Sequence, residues 1–238
     1  MTSRRAFLHA AGTLVLIGNL PFAALAQSGT KLKIGTLGSG RVGSAIGGAW
    51  VKAGHEVMFS SLDLEADRKL AASLGGGAKA GTPREAAAFG TVVLVSVPYK
   101  ALPSVGKDVG DLLNGKIVID TSNPIVARDG DMAVAAREKG AGVASMEFMP
   151  GARIVRAFNA IGAARMAQAA GASVRVGMPI AGDDPEAIKV ATALVKEVGY
   201  EPALVGTLAA MGKYLMPGTP LAGEHSPDEI RKIAATLK

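Results

Sequence analysis

Residues 38–43 read Gly38-Ser39-Gly40-Arg41-Val42-Gly43, a G-x-G-x-x-G string set directly after the apolar run Leu32 to Leu37 and directly before a helical stretch through Trp50 and Lys52. That context decides the fold. Strand, glycine turn and helix in this order make the opening unit of a dinucleotide-binding βαβ fold. Gly38 permits the tight turn, Gly40 lets a diphosphate approach the backbone, and Gly43 lets the helix pack on the strand. The amino end of that helix, entered through Arg41 and Val42, then faces the phosphates. A glycine turn without a ligand is the plain alternative.

Outward from this loop, short β-branched runs alternate with Ala-rich helical stretches. Strands are expected at Leu32 to Leu37, Glu56 to Ser60, Thr91 to Val97, Lys116 to Asp120, Arg153 to Phe158 and Ser173 to Ile180. Helix starts are readable at Thr82-Pro83-Arg84-Glu85 and Ser226-Pro227-Asp228-Glu229, each a capping box with Pro in the first turn, and at Asp184-Pro185. The pattern predicts an α/β fold, a Rossmann-type doubly wound parallel sheet with a small C-terminal helical appendage. Residues 27–238 are read as one such domain. The apolar residues from Leu204 to Met216 are read first as core and second as a homodimer face.

Composition agrees with a packed core: 238 residues, 49% hydrophobic and 19% charged. Zero Cys excludes disulfides, thiolate metal sites and Cys nucleophiles, and three scattered His give no ligand spacing, so no metal is expected. Asp183-Asp184 is read as a loop carboxylate plus an N-cap before Pro185. Basic residues are dispersed among acids and aromatics are only 4%, so nucleic acid is not an expected partner.

Residues 1–26 read as a leader: a charged start, a broken apolar run from Ala10 to Leu25, and Ala24-Leu25-Ala26 as a cleavage site before Gln27. Ser3-Arg4-Arg5-Ala6-Phe7-Leu8 resembles the twin-arginine export motif, with His9 where that motif often has Lys. An ordinary secretory signal or an uncleaved anchor is the alternative. The twin-arginine reading implies a periplasmic or secreted protein, exported folded, that meets the membrane only during export.

At the end of the second strand stands Phe59-Ser60-Ser61-Leu62, where sites selective for NAD place an acid against the ribose 2′-hydroxyl. No acid is there, and Asp63 is read as a helix N-cap. Ser60 and Ser61 offer hydroxyls and Arg41 offers a cation, which favours NADP. The third and fourth strands end in Ser96-Val97-Pro98-Tyr99 and Asp120-Thr121-Ser122-Asn123-Pro124. Both put Pro and polar groups at the carboxyl edge, with Tyr99 offering a ring and Asn123 an amide for a carboxamide or ribose.

These motifs, with Arg156-Ala157-Phe158-Asn159 and Met178-Pro179-Ile180-Ala181-Gly182-Asp183-Asp184-Pro185, resemble the NADPH-dependent reductases of the deazaflavin coenzyme F-420, to which the STEAP oxidoreductase domains are similar. The resemblance runs from Lys31 to about Leu221. It implies hydride transfer between nicotinamide C4 and F-420, another flavin or a different small-molecule acceptor. It also implies that Ala157 lies beside the nicotinamide, and that Asn159 and Ala160 sit where the hydride leaves. Such a reaction needs stacking and positioning more than an acid or base. The chain departs from the family at Leu62, where relatives commonly carry Arg for the 2′-phosphate. It departs again at Gly206-Thr207-Leu208, which replaces Gly-Pro-Leu, and at Gly212-Lys213-Tyr214-Leu215, which keeps only part of a basic-x-Tyr-Leu pattern. A non-catalytic dinucleotide-binding module is the reading from a different class. A pyrroline-5-carboxylate-reductase-like imine reductase is a lesser one, because no long helical dimerisation region follows the nucleotide unit.

Overall fold

The computed structural model describes residues 31–166 and 176–237. The leader, and the first part of the strand expected from Ser173, lie outside the described residues. The first unit is β1 (Lys33–Leu37), α1 (Arg41–Lys52) and β2 (Glu56–Ser60). There follow α2 (Leu64–Leu74), β3 (Ala78–Ala80), α3 (Pro83–Phe89), β4 (Val92–Val95), a 3-10 turn at Tyr99–Ala101, α4 (Leu102–Leu113) and β5 (Ile117–Asp120). The short helices α5 (Val126–Asp129), α6 (Asp131–Lys139) and α7 (Ala141–Phe148) lead to β6 (Arg153–Arg156) and α8 (Ala163–Met166). The chain ends with β7 (Gly177–Gly182), α9 (Pro185–Val198), β8 (Glu201–Gly206), α10 (Leu208–Met211), a 3-10 turn at Gly212–Tyr214 and α11 (Pro227–Thr236).

Among the described residues the strands form one sheet in the order β3-β2-β1-β4-β5-β6-β7-β8. The order reverses between β1 and β4, the place at which open α/β sheets bind ligands beyond the carboxyl ends of their strands. Every residue of β4 (VVLV) and β5 (IVID) is buried. Strands this apolar need cover on both faces. One face packs under α1 and α9 through Ile46, Trp50, Val190 and Leu194. The other packs under α3, α4 and α7 through Ala86, Leu102, Val109 and Ala144. The expected α/β Rossmann-type architecture is present.

Local chemistry sets the helix ends. Thr82 and Ser226 each close a reciprocal capping box with Glu85 and Glu229, and Asp63 and Asp184 cap α2 and α9 through the Ala66 and Ala187 amides. Gly199, at φ 108, ends α9 in the left-handed region.

Two features depart from the expectation. First, β7 pairs antiparallel with β6, so the sheet is not uniformly parallel. Buried strands of either direction carry the same apolar residues, so composition did not reveal this. Second, β3 and β8 were not anticipated. β3 has three residues, and β8 contains Pro202, which is tolerated because β8 is an edge strand whose outer side needs no ladder bond. The segment from Leu204 to Met216 follows its first reading: Leu204 on β8 is 54% exposed, but Leu208, Met211, Leu215 and Met216 are buried, so it is chiefly core. The terminal helix α11 packs against β7 and β8 and buries Ile230 and Ala234.

Candidate functional site

The loop after β1 and the segment after β4 meet at the reversal of strand order. Gly38 has φ 94, and a Cβ there would stand 2.3 Å from the Ser96 carbonyl oxygen. Only glycine fits that turn. A Cβ on Gly43 would stand 2.0 Å from the Gly38 carbonyl oxygen, so the helix can approach the strand only with hydrogen at this position. Gly40 is the opposite case: a Cβ there would meet nothing within 4 Å. Packing within the fold therefore does not demand glycine at position 40, and the space in front of it is open.

The amides of Gly38 and Ser39 donate to the Ser60 carbonyl at 2.9 and 3.1 Å, which ties the loop to the end of β2. The first turn of α1 holds no acidic residue and no side-chain cap. Its leading amides have no acceptor inside the helix and carry the positive end of the helix dipole. An open glycine in front of an uncapped helix start fits a dinucleotide diphosphate. Arg41 is exposed and Val42 half-buried in that turn.

At the end of β2, Ser60 is fully buried and its hydroxyl donates to the Thr36 carbonyl at 2.7 Å, so it is turned into the sheet. Ser61 is half-buried, and Leu62 beside it is fully exposed. An acid does stand here, from a place the sequence reading passed over. Asp67 of α2 is 1% exposed, with the Ser39 hydroxyl on one carboxylate oxygen and the Ser61 hydroxyl on the other, the latter at 2.9 Å. Its signal was its position: three residues after Leu64 and four before Ala71, on the inward face of α2.

Past β4, Val97 is half-buried and approaches Gly38, since a Cβ there would lie 3.0 Å from the Val97 Cγ1. Pro98 is exposed. Tyr99 is fully buried among Leu37, Leu102 and their neighbours, so its ring belongs to the core and not to an open cleft. Burial pushes its phenol up to about 12. It lines a cavity of about 240 Å³ between α6 and α7, together with Met132, Lys139, Glu147 and Phe148.

The ends of β5 and β6 share a buried ion pair. Arg156 and Asp120 are both fully buried, joined at 2.8 Å. The other Asp120 oxygen accepts from the Ser122 amide at 2.8 Å. The Arg156 guanidinium reaches the Ser122 carbonyl at 3.1 Å, Asn123 Oδ1 at 3.3 Å and the Leu215 carbonyl at 3.2 Å. Asn123 Nδ2 in turn donates to the Asn159 carbonyl at 2.8 Å. Asn123 and Asn159 are thus brought together, and Pro124 is buried beside them. In the sequence Asp120 and Arg156 stand only as members of two strand-end motifs, with nothing to mark them as partners except that an acid and a base close two neighbouring buried strands.

Between Ala157 and Asn159 the backbone turns sharply. Phe158 has φ 65, the one positive-φ residue other than glycine among the described residues. That conformation is strained for an L-residue and persists where packing over-determines it. Here the Phe158 ring stands edge-on to both Trp50 and Tyr200, at 6.3 Å each. Ala157 and Ala160 are buried, and the Ala160 carbonyl accepts from the Gly223 amide at 2.9 Å. The tail after Leu215 therefore closes against the expected nicotinamide end.

Asp184 caps α9 and pairs with Arg153, and Asp183 accepts from the Leu208 amide. Hydrogen bonding to Arg153 holds the Asp184 carboxyl below its usual range, against a smaller opposing effect of burial.

Residues 33–124, from β1 to the Asn123-Pro124 turn, match the family model described as NADP oxidoreductase, coenzyme F420-dependent, which supports an oxidoreductase of NADP-binding type. A hypothetical protein of Sinorhizobium meliloti is similar in structure, with TM-score 0.71 and 25% identity, over 85% of this chain and 98% of that one. An Arthrobacter protein assigned as an F420-dependent NADP-reductase superposes with TM-score 0.63 at 21% identity, over 77% of this chain and 90% of that one. A pyrroline-5-carboxylate reductase of Coxiella burnetii shares the fold at TM-score 0.54 and 14% identity, but this chain spans only 58% of its length.

Proposed function

We propose that this chain is an exported NADP(H)-dependent oxidoreductase that moves a hydride between nicotinamide C4 and a flavin-like acceptor of the F-420 type. The observation that carries the reading is the contrast within the loop: side chains are sterically barred at Gly38 and Gly43, while Gly40 faces open space at an uncapped helix start. From the end of β2 to the end of β6 there are four strand spacings, roughly 19 Å, which an extended dinucleotide covers across the carboxyl edge.

When bound, the reduced cofactor supplies the hydride. The chain's own work is binding and orientation. The α1 amides hold the diphosphate, and Asn123, fixed by Arg156 and by the Asn159 carbonyl, presents its remaining amide N–H at the far end. The Ala157–Ala160 turn limits the approach of the ring. Hydride transfer between two planar systems asks for positioning, and the buried Arg156–Asp120 pair is suited to supply it.

The test is to purify the full chain, identify any dinucleotide released on denaturation, and follow NADPH absorbance with F-420, flavin, ferric chelate and quinone. Oxidation by a flavin-like member of the panel is expected. Tight binding without turnover across the panel would overturn the enzymatic reading in favour of a binding module. Export is tested separately: substituting Arg4 and Arg5 by Lys should abolish appearance outside the cytoplasm, and unchanged export would overturn it.

A further inference from the structure

The edge at which the adenosine ribose would lie is unusual in where its hydroxyl protons go. Ser39 and Ser61 each face the buried Asp67 carboxylate, one on each oxygen. An ionised carboxylate only accepts, so both serines must be donors to it. Ser61 also accepts from the Asp63 amide at 3.1 Å, and its only other acceptor within reach is the Asp63 carbonyl at 3.2 Å, again inside the fold. Ser60 donates inward to Thr36. All three hydroxyls at this edge therefore have their protons committed to the protein, and what Ser39 and Ser61 have left for a ligand is lone pairs, one of those on Ser61 being taken by the Asp63 amide.

A lone pair suits a 2′-hydroxyl, which can donate, and repels a 2′-phosphate, which can only accept. The carboxylate beneath adds a negative charge at short range in a buried setting. The fully exposed Leu62 supplies apolar surface and no countercharge, which leaves Arg41 as the cation on the loop.

We propose that Asp67 is the positioning residue that sets cofactor selectivity at this site. By taking the Ser39 and Ser61 protons it makes the ribose edge a receptor for a 2′-hydroxyl, so the chain uses NAD(H) alongside NADP(H). The inference rests on the dinucleotide reading of the glycine loop and specifies how that site recognises its ligand.

The experiment is titration of NADH and NADPH into the full chain by nucleotide fluorescence, for wild type and for Asp67→Asn, Ser61→Ala and Leu62→Arg, with circular-dichroism melting to verify folding. Wild type is expected to bind the two within about tenfold of each other. Asp67→Asn offers an amide donor to one serine and frees a hydroxyl proton, so the affinity ratio should move toward NADPH by about tenfold or more, the range of one charge-assisted hydrogen bond. Leu62→Arg, on a fully exposed side chain, should move the ratio the same way, and Ser61→Ala should weaken NADH more than NADPH. A loss of stability alone lowers both affinities and leaves their ratio unmoved. The proposal is overturned by a wild type that prefers NADPH more than about a hundredfold, the selectivity of a dedicated phosphate clamp. It is equally overturned by a folded Asp67→Asn with an unchanged ratio, or, if that variant does not fold, by unchanged ratios in both Ser61→Ala and Leu62→Arg. Wild type that binds neither nucleotide sinks the glycine-loop reading and takes this proposal with it.

Discussion

The two ends of the cleft are built on opposite principles. At the glycine loop the protein leaves side chains out: Gly38 and Gly43 are small because backbone stands within 2.3 and 2.0 Å of where a Cβ would be, and Gly40 leaves the space in front of it open. At the far end the protein puts charge in: Arg156 and Asp120, both without exposure, hold the β5 and β6 termini and the Asn123 turn together. The first end specifies a shape that short-range sterics enforce. The second specifies positions by a polar network whose members are far apart in sequence, and such a network fails as a unit when one member is removed.

The largest effect that would test this contrast comes from the charged end. Arg156→Leu leaves Asp120 buried without its partner and should lower unfolding free energy by about 3–5 kcal/mol in urea titration. A loss below about 1 kcal/mol, the size for exposed pairs, would show that the pair does not anchor the site. Gly43→Ala comes next, because its Cβ must displace the Gly38 carbonyl. A loss of about 1–3 kcal/mol is expected, with weakened dinucleotide binding as the loop shifts.

Gly40→Ala separates the two roles of the loop. Stability should change by less than about 1 kcal/mol, while affinity for the dinucleotide drops about tenfold from the intruding methyl. Equal affinity for both proteins would mean the open space is not where the ligand lies.

The smallest expected effect lies outside the cleft. The Asp184 carboxyl is held below its ordinary value, first by Arg153 and then by the Ala187 amide, with burial opposing. Its folded value is lower than its unfolded one, so its stabilisation is complete above about pH 4 and disappears as pH falls through the lower folded value. Solvent access to the pair keeps the contribution small. Asp184→Asn should therefore lower the neutral-pH melting temperature slightly and leave the value in acid nearly unchanged, so that the acid limb of a thermal-melt series flattens.

Legibility in the sequence tracked the range of the interactions. The Gly38–Gly43 turn, the Thr82 and Ser226 capping boxes and the Asp63 and Asp184 caps were readable because each depends on residues within a few positions of one another. The antiparallel pairing of β7 was not, since apolar strands look alike in either direction. β8 was hidden by Pro202, whose tolerance depends on the strand's place at the sheet edge. Tyr99 reads as a ring offered to the dinucleotide because Val-Pro-Tyr ends a strand at the carboxyl edge, yet packing draws it into the core. Asp67 is not legible from the end of β2 because its carboxylate arrives from α2, one helical turn further on, and meets Ser39 and Ser61 only in the folded chain.

The amino-acid order alone determined the alternation of strands and helices, the placement of the glycine turn at the start of α1 and the starts of α2, α3, α9 and α11. These follow from backbone sterics, capping and hydrophobic periodicity, which act over one or two turns of chain. Only the tertiary structure decided that Asp67 lies beneath Ser39 and Ser61, that Arg156 and Asp120 close the opposite end, and that β7 reverses. Those facts depend on side chains brought together across tens of residues, where burial strengthens a charge or hydrogen bond and nothing in the local sequence records the partner.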